Sequence, residues 1–416
     1  MRCLKPETVK EHGMSKLPST ALHPETVAAR YGVNCDENHG AVIPPLYMSS
    51  TFAFKGFGQK GEYDYTRSGN PTRDQLAEAL AALEGGAGGV ITASGMSAVH
   101  LVTQLVKPGD LIVAPHDCYG GCHRLFSAAS RKGQFDLQWL PLWETENSVQ
   151  QILQLKPRVV WIETPSNPLL RITDIKAIAT AAHEAGALVV VDNTFLSPAG
   201  QKPFELGADI VLHSTTKYIN GHSDVVGGAV IARDDELVEE LIWWANCLGL
   251  TGSPFDSFQT LRGLRTLSVR YQQHQQNAGL IAESLEENEL VGKVYYPGLA
   301  SHEGHELAAR QQAGFGAMIS FEIEASTDEI PLFLSALNLF TLAESLGGVE
   351  SLVAHPASMT HAAMSEEDQA KAGITSQLLR LSVGIEHIDD LQADLDNGFD
   401  AVLQHRRNSQ RVRNVA

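Results

Sequence analysis

The chain is poor in positive charge. Its 416 residues carry 31 Lys and Arg against 49 Asp and Glu, a formal net charge of -18. A protein that grips a phosphate backbone needs a basic footprint, so nucleic acid is not an expected partner. Anionic small molecules stay open, because local charge decides what enters a pocket. Cysteine is scarce as well, with five residues at scattered positions: Cys3, Cys35, Cys118, Cys122 and Cys247. An odd, scattered set suggests no disulfide framework, and a reducing cytoplasm is the expected location. Cys118 and Cys122 with His116 and His123 match no zinc spacing. The histidines of "HEGHE", from His302, are three apart where the metalloprotease helix needs four. No metal is therefore expected. Long apolar runs are missing too. The N-terminal segment lacks the apolar core of a signal peptide. The stretch "GGAGGVITASGMSAVHLVTQLV" from Gly85 is broken by glycines, hydroxyls, a His and a Gln. It reads as strand, turn and helix, and no membrane association is expected. Repeats and low-complexity blocks are also lacking.

What is present points to a folded α/β chain. A hydrophobic fraction of 43% can build a sizeable core. Residues 1–70 read as an arm, with Pro44 and Pro45 and little periodicity. In "NPTRDQLAEALAALEGG", Thr72 is the expected N-cap, Leu76, Leu80 and Leu83 share a helical face, and Gly85 ends the helix. Short apolar strands then alternate with helical runs: "GVIT", "LIVAP", "FDLQWLP", "RVVWIET", "ALVVVDN" and "ADIVLHS". That alternation predicts a mostly parallel sheet covered on both faces, with ligands beyond the C-terminal strand ends. Residues 71–270 form this expected large domain. Residues 271–416 read as a smaller α+β domain. Its last helix puts Ile388, Leu391, Leu395, Phe399 and Val402 on one face, and the basic tail "QHRRNSQRVRNVA" is expected to be disordered.

The stretch "HSTTKYINGHSD" raises the chemical question. Lys217 follows a run that reads as a buried strand, and an unpaired buried ammonium is costly. Asp192 closes the preceding strand "ALVVVD". An Asp and a Lys at successive strand ends suit a pyridoxal phosphate site: the Lys forms a Schiff base and the Asp pairs with the ring nitrogen. A structural salt bridge explains the pair equally well. "ASGMSAVH" offers a helix start at Gly95 and Met96 that presents N–H groups to an anion, and Ser214 and Thr216 can add hydroxyls. Tyr119 in "HDCYGGCHRLF" follows strand "LIVAP" and can stack on a flat ring. Arg380, inside "LLRLSVGIE", needs a carboxylate partner, from a substrate or from the protein. Arg67, on the arm, could reach a phosphate only in a neighbouring subunit. "STTK" also fits the S-x-x-K pattern of serine acyl enzymes, but the S-D-N and K-T-G elements of that class are missing.

"YDYTRSGNPTRDQL", "TASGMSAVH", "ETPSNPLLRITDI", "VVVDNTF", "HSTTKYINGHSDVVGG" and "TLAESLGGVESLVAHPASMTH" together resemble the Cys/Met-metabolism class of pyridoxal-phosphate enzymes, from about Ala41 to Ala401. The resemblance implies a fold-type I α/β transferase, assembled as a homotetramer of two active dimers. It implies that Lys217 carries pyridoxal 5'-phosphate as a Schiff base, that Asp192 meets the ring nitrogen and that Tyr119 stacks on the ring. It implies that Gly95, Met96, Ser214 and Thr216 hold the phosphate, with Tyr65 and Arg67 from the partner subunit. Asn167 and Arg380, with Ser345 nearby, would meet the substrate α-carboxylate; Arg124, Asp64 and Glu344 would line the side of the second substrate. The implied reaction is γ-replacement: an O-acylated homoserine, succinyl foremost, joins L-cysteine to give L-cystathionine in methionine biosynthesis. A cystathionine or methionine γ-lyase is the alternative. Tyr119 would deprotonate the incoming amine, which requires a phenol pKa lowered by nearby cations.

Overall fold

The computed structural model describes residues 22–362 and 364–415. Residues 1–21 of the expected arm lie outside them. The described arm holds one short helix, α1 (Pro24–Arg30). Beyond it come isolated bridges such as Thr51 to Tyr65. Helix α2 (Pro71–Glu84) ends at Gly85, whose φ of 87° is the left-handed conformation that glycine adopts freely. Its start differs from the expectation. Asn70, not Thr72, is the N-cap: its side chain accepts the N–H groups of Thr72 and Arg73, and Pro71 fills the first helical position. The Thr72 hydroxyl instead accepts the N–H of Tyr47, at 2.9 Å, and so ties the arm to the helix.

Seven strands form the first sheet: β1 (Gly88–Thr92), β2 (Leu111–Pro115), β3 (Asp136–Leu140), β4 (Val159–Glu163), β5 (Leu188–Asp192), β6 (Ile210–His213) and β7 (Gly228–Ala232). Their order is β1-β7-β6-β5-β4-β2-β3, with β7 antiparallel to both neighbours and the central strands parallel. β4 is buried throughout, as strands covered on both faces must be. Helices α3 (Gly95–Val102) and α4 (Gly120–Arg131) pack in the cluster on one face, which also contains Phe126 and Trp161. The helix Ile175–Glu184 packs in the cluster on the other. Among the described residues no helix is long and apolar enough to cross a membrane.

The helix Leu267–Glu286 leads into a second sheet. Its strands are β8 (Val291–Tyr295), β9 (Met318–Ile323), β10 (Thr341–Leu342), β11 (Leu352–Ala354) and β12 (Leu378–Ser382), in the order β10-β11-β12-β9-β8. All pairs are antiparallel except β10 with β11. The helix Ile388–Val415 buries Leu391, Leu395, Phe399 and Val402 in the core of this domain, packed chiefly on the helix Ile330–Ala336.

That helix corrects the expectation of a disordered tail, since it runs through "QHRRNSQRVRNV". Arg406 anchors it: Nε and Nη2 each donate to the Glu329 carboxylate at 2.8 Å, and Nη2 also donates to the Glu324 carbonyl. The Arg406 hydrogen bond is the main cause that holds Glu329 down at about 2. A carboxyl with a depressed folded pKa adds stability above its unfolded pKa, and that stability is lost as pH falls through the folded value. Arg406→Ala is therefore expected to lower the melting temperature above about pH 5, with the gap to the parent closing towards about pH 2. Parallel thermal melts across that range check it.

Candidate functional site

The C-terminal ends of β4, β5 and β6 open onto a cavity of about 290 Å³, closed from above by the β10–β11 connection and β12. Asp192 and Glu163 are the last residues of β5 and β4 and lie in register with each other. Both line the cavity. Thr194 secures Asp192: its N–H and hydroxyl donate to Asp192 Oδ1 at 3.0 and 2.5 Å. The same hydroxyl accepts the Ser214 N–H at 2.9 Å, which links the ends of β5 and β6. Burial pushes Asp192 up, and the Thr194 bonds oppose this. Burial and the neighbouring Asp192 push Glu163 well above the usual carboxylate range.

Lys217 follows β6 in a helical turn. Its ammonium donates to Ser345 Oγ at 2.7 Å. Burial first, and then Arg380, lower its pKa to about 8, so an appreciable part of the amine is free near neutrality. Arg380 lies on β12, only 3% exposed. Nη1 donates to Asn167 Oδ1 at 2.9 Å and Nη2 to the Ser345 carbonyl at 3.1 Å. Its Nε is buried without a partner. Ser345, at φ 95°, holds a backbone conformation rare for residues with a side chain.

The start of α3 completes the cavity. Ser94 caps the helix through the Ser97 N–H, while the first N–H groups of a helix have no partner inside it. A Cβ on Gly95 would sit 2.9 Å from Ser214 Cβ, so a side chain there would crowd the corner between α3 and β6. Thr216 lines the same corner, with its hydroxyl exchanging hydrogen bonds with the Gly227 backbone.

The structure thus brings together Gly95, Met96, Tyr119, Asn167, Asp192, Ser214, Thr216, Lys217, Glu344, Ser345 and Arg380 around one cavity. It leaves four of the expected residues outside. Tyr65 and Arg67 are exposed on the arm, and Arg67 Nη1 donates to Asn246 Oδ1 and O, each at 2.7 Å. Asp64 pairs with Lys60 at 3.0 Å and accepts from Ser68 Oγ and the Tyr65 N–H. Arg124, exposed on α4, acts on Tyr119 through its charge. One expectation is corrected: the Tyr119 phenol is raised, not lowered, because burial outweighs Arg124. Sequence reasoning also missed Thr194, Glu163, Cys122 and Thr360, all lining the cavity. Thr194 and Glu163 had a signal, a polar residue at or just past a strand end.

The donor set suits pyridoxal phosphate. An amine of lowered basicity, a carboxylate across the cavity and a phenol ring at its side lie with a helix start that attracts anions. With no side chain at Gly95, the backbone at the start of α3 is left open beside the Ser214 hydroxyl to meet a phosphate.

The comparisons agree. Residues 25–400 match the family described as Cys/Met metabolism PLP-dependent enzyme. The chain is 56% identical to the cystathionine gamma-synthase of Escherichia coli (strain K12), across 90% of this chain and 97% of that one. It is 47% identical to the cystathionine gamma-lyase of Dictyostelium discoideum, across 89% and 95%. The crystal structure of cystathionine gamma synthase from Xanthomonas oryzae pv. oryzae, in complex with aminoacrylate and cysteine, superposes with a TM-score of 0.91 at 61% identity, covering 92% of this chain and 100% of that one. With its fold-type I architecture and a cavity furnished for pyridoxal phosphate, the chain belongs to the Cys/Met metabolism family of PLP-dependent enzymes.

Proposed function

We propose that the chain is a cystathionine gamma-synthase, joining an O-acylated homoserine to L-cysteine with release of the free acid. The observation that carries this reading is the path Arg380–Ser345–Lys217, in which a carboxylate-binding guanidinium and a weakly basic amine share one bridging residue. A substrate α-carboxylate on Arg380 and Asn167 sets its α-carbon within reach of Lys217. When bound, the cofactor supplies an aldehyde that captures the substrate amine and a ring that accepts electron density from the neighbouring carbon.

The chain's residues divide the remaining work. Lys217 carries the cofactor in the resting enzyme. Once released, its amine, oriented by Ser345, would take the α-proton. A β-proton is also removed as the γ-acyloxy group leaves as its carboxylate, the cysteine sulfur takes its place on the γ-carbon, and the β- and α-carbons are then reprotonated. Asp192 holds a positive charge at the ring nitrogen. Gly95, Met96, Ser214 and Thr216 hold the phosphate, joined by Tyr65 and Arg67 of a second copy. Tyr119 covers the ring as a neutral phenol. Arg124 and Glu344 face the incoming cysteine, with Asp64 brought to it on the arm of a second copy. The same reading assigns 1–70 to an arm between subunits, 71–270 to cofactor binding and 271–416 to a second domain, in a cytoplasmic homotetramer.

Asp64 favours synthase over lyase, because a carboxylate one methylene shorter than Glu leaves room for an acyl leaving group. One methylene is worth only about 1–3 kcal/mol, so a slow elimination side reaction is expected. Turnover of the succinyl, acetyl and phosphoryl esters of homoserine, with and without L-cysteine, tests the reading. The succinyl ester with cysteine should be fastest, with slow 2-oxobutanoate release when cysteine is omitted. Cleavage of L-cystathionine faster than its formation from every ester would replace the synthase with a γ-lyase.

A further inference from the structure

Two buried carboxyl groups outside the assigned roles cross-link the loops that carry Tyr119 and Asn167. β2 and β4 are parallel neighbours, and each is followed by a loop into the site. Asp117, in the loop after β2, is 3% exposed. Its Oδ2 accepts the Ser166 hydroxyl at 2.7 Å and Arg171 Nη1 at 3.3 Å, both from the loop after β4. Glu163, at the end of β4, returns the contact: its Oε2 accepts the Tyr119 N–H at 2.8 Å. Each loop therefore sends one carboxyl group into the other.

Tyr119 is the N-cap of α4, and its own N–H finds its acceptor in Glu163. Ser166, immediately before Asn167, is anchored by Asp117 and accepts the Arg171 N–H at 3.3 Å. The Arg171 guanidinium lies over the Trp143 ring, 4.0 Å from its centroid, which fixes the charge that holds Asp117.

We propose that Asp117 and Glu163 are positioning residues that form a reciprocal latch, setting the Tyr119 ring and the Asn167 amide at a fixed separation across the cavity. The latch rests on the proposed function, in which Tyr119 covers the cofactor ring and Asn167 meets the amino-acid carboxylate. It makes those two grips one unit. A shift of about 1 Å between them is enough to cost on the order of 100-fold in rate.

The test uses the holoenzyme and the variants Ser166→Ala, Glu163→Leu, their combination, and Glu163→Gln. Melting temperature, kcat, KM and the visible circular dichroism of the bound cofactor are measured for each. Ser166→Ala and Glu163→Leu are each expected to lower kcat about 10- to 100-fold and to weaken the dichroism band. The double variant should lose no more than about threefold beyond the worse single, because the two changes break one device. Glu163→Gln keeps an acceptor oxygen, and Glu163 is already held towards its neutral form. That variant should therefore recover most of the kcat and dichroism that Glu163→Leu loses. Lower melting temperatures with unchanged kcat and dichroism would reduce the carboxyl groups to packing and overturn the latch, as would fully multiplicative losses. Should Glu163→Leu not fold, Ser166→Ala decides alone, since it removes one hydroxyl oxygen. Lys217→Ala separates the two levels. If it leaves the visible band intact, the reading of the site fails; if it alters the band while the latch variants do not, only the latch fails.

Discussion

Lys217→Ala is expected to abolish turnover, by more than about 1,000-fold, because it removes both the anchor of the cofactor and the base. Borohydride should fix the cofactor to Lys217 in the parent and to nothing in the variant. A labelled peptide containing any other lysine would refute the assignment. The amine also sets a pH dependence. With a pKa lowered to about 8 from 10.5, the fraction of free amine in the cofactor-free protein rises through about pH 8 and then levels. Reductive coupling of pyridoxal phosphate to that protein should follow the same curve. A curve that kept climbing to the ordinary lysine range would mean that burial and Arg380 do not act on this amine.

Arg380→Leu is expected to be the second most damaging change. Truncating one partner of a buried, hydrogen-bonded charge pair costs about 2–5 kcal/mol, which is roughly 30- to 5,000-fold in kcat/KM for the amino-acid substrate. Arg380 and Asn167, which face the proposed carboxylate, are each 3% exposed, and burial lowers the Arg380 pKa to about 10, so it remains charged at neutral pH. The same substitution removes the positive charge that helps depress Lys217. The coupling curve of the cofactor-free variant should therefore move to higher pH. A rise in KM without that shift would place the arginine at the substrate but not at the lysine.

The legible parts of the fold were those written locally. The strand ends at Asp192 and the turn bearing Lys217 follow from apolar runs broken by polar residues. The stop at Gly85 follows from a glycine after a periodic run. What stayed hidden depends on distant partners. Asn70 outcompetes Thr72 as a cap because Pro71 fixes the first turn and Tyr47 claims the threonine hydroxyl. The C-terminal segment reads as solvated and basic until Glu329 appears beneath Arg406. Tyr119 looks like a base in a cationic setting, yet its burial sets the phenol in the opposite direction. Thr194 is one of many threonines until its hydroxyl is seen between Asp192 and Ser214. The site as a constellation was readable through the family resemblance far more than through periodicity, which places strand ends but not the side chains that meet across them.

Ser345 carries a consequence for how this protein can change. Its hydroxyl accepts from the lysine of the first sheet, its carbonyl accepts from the arginine of the second, and its backbone sits in the left-handed region to do both. A residue inserted or deleted between β10 and β11 would carry one of those atoms off its partner. Surface loops ordinarily tolerate changes of length at a small entropic cost. This connection cannot, since its length measures the distance between two reactive side chains. Domain grafts, circular permutations and loop exchanges in this scaffold must leave it intact, even though only a two-residue strand and a three-residue strand flank it.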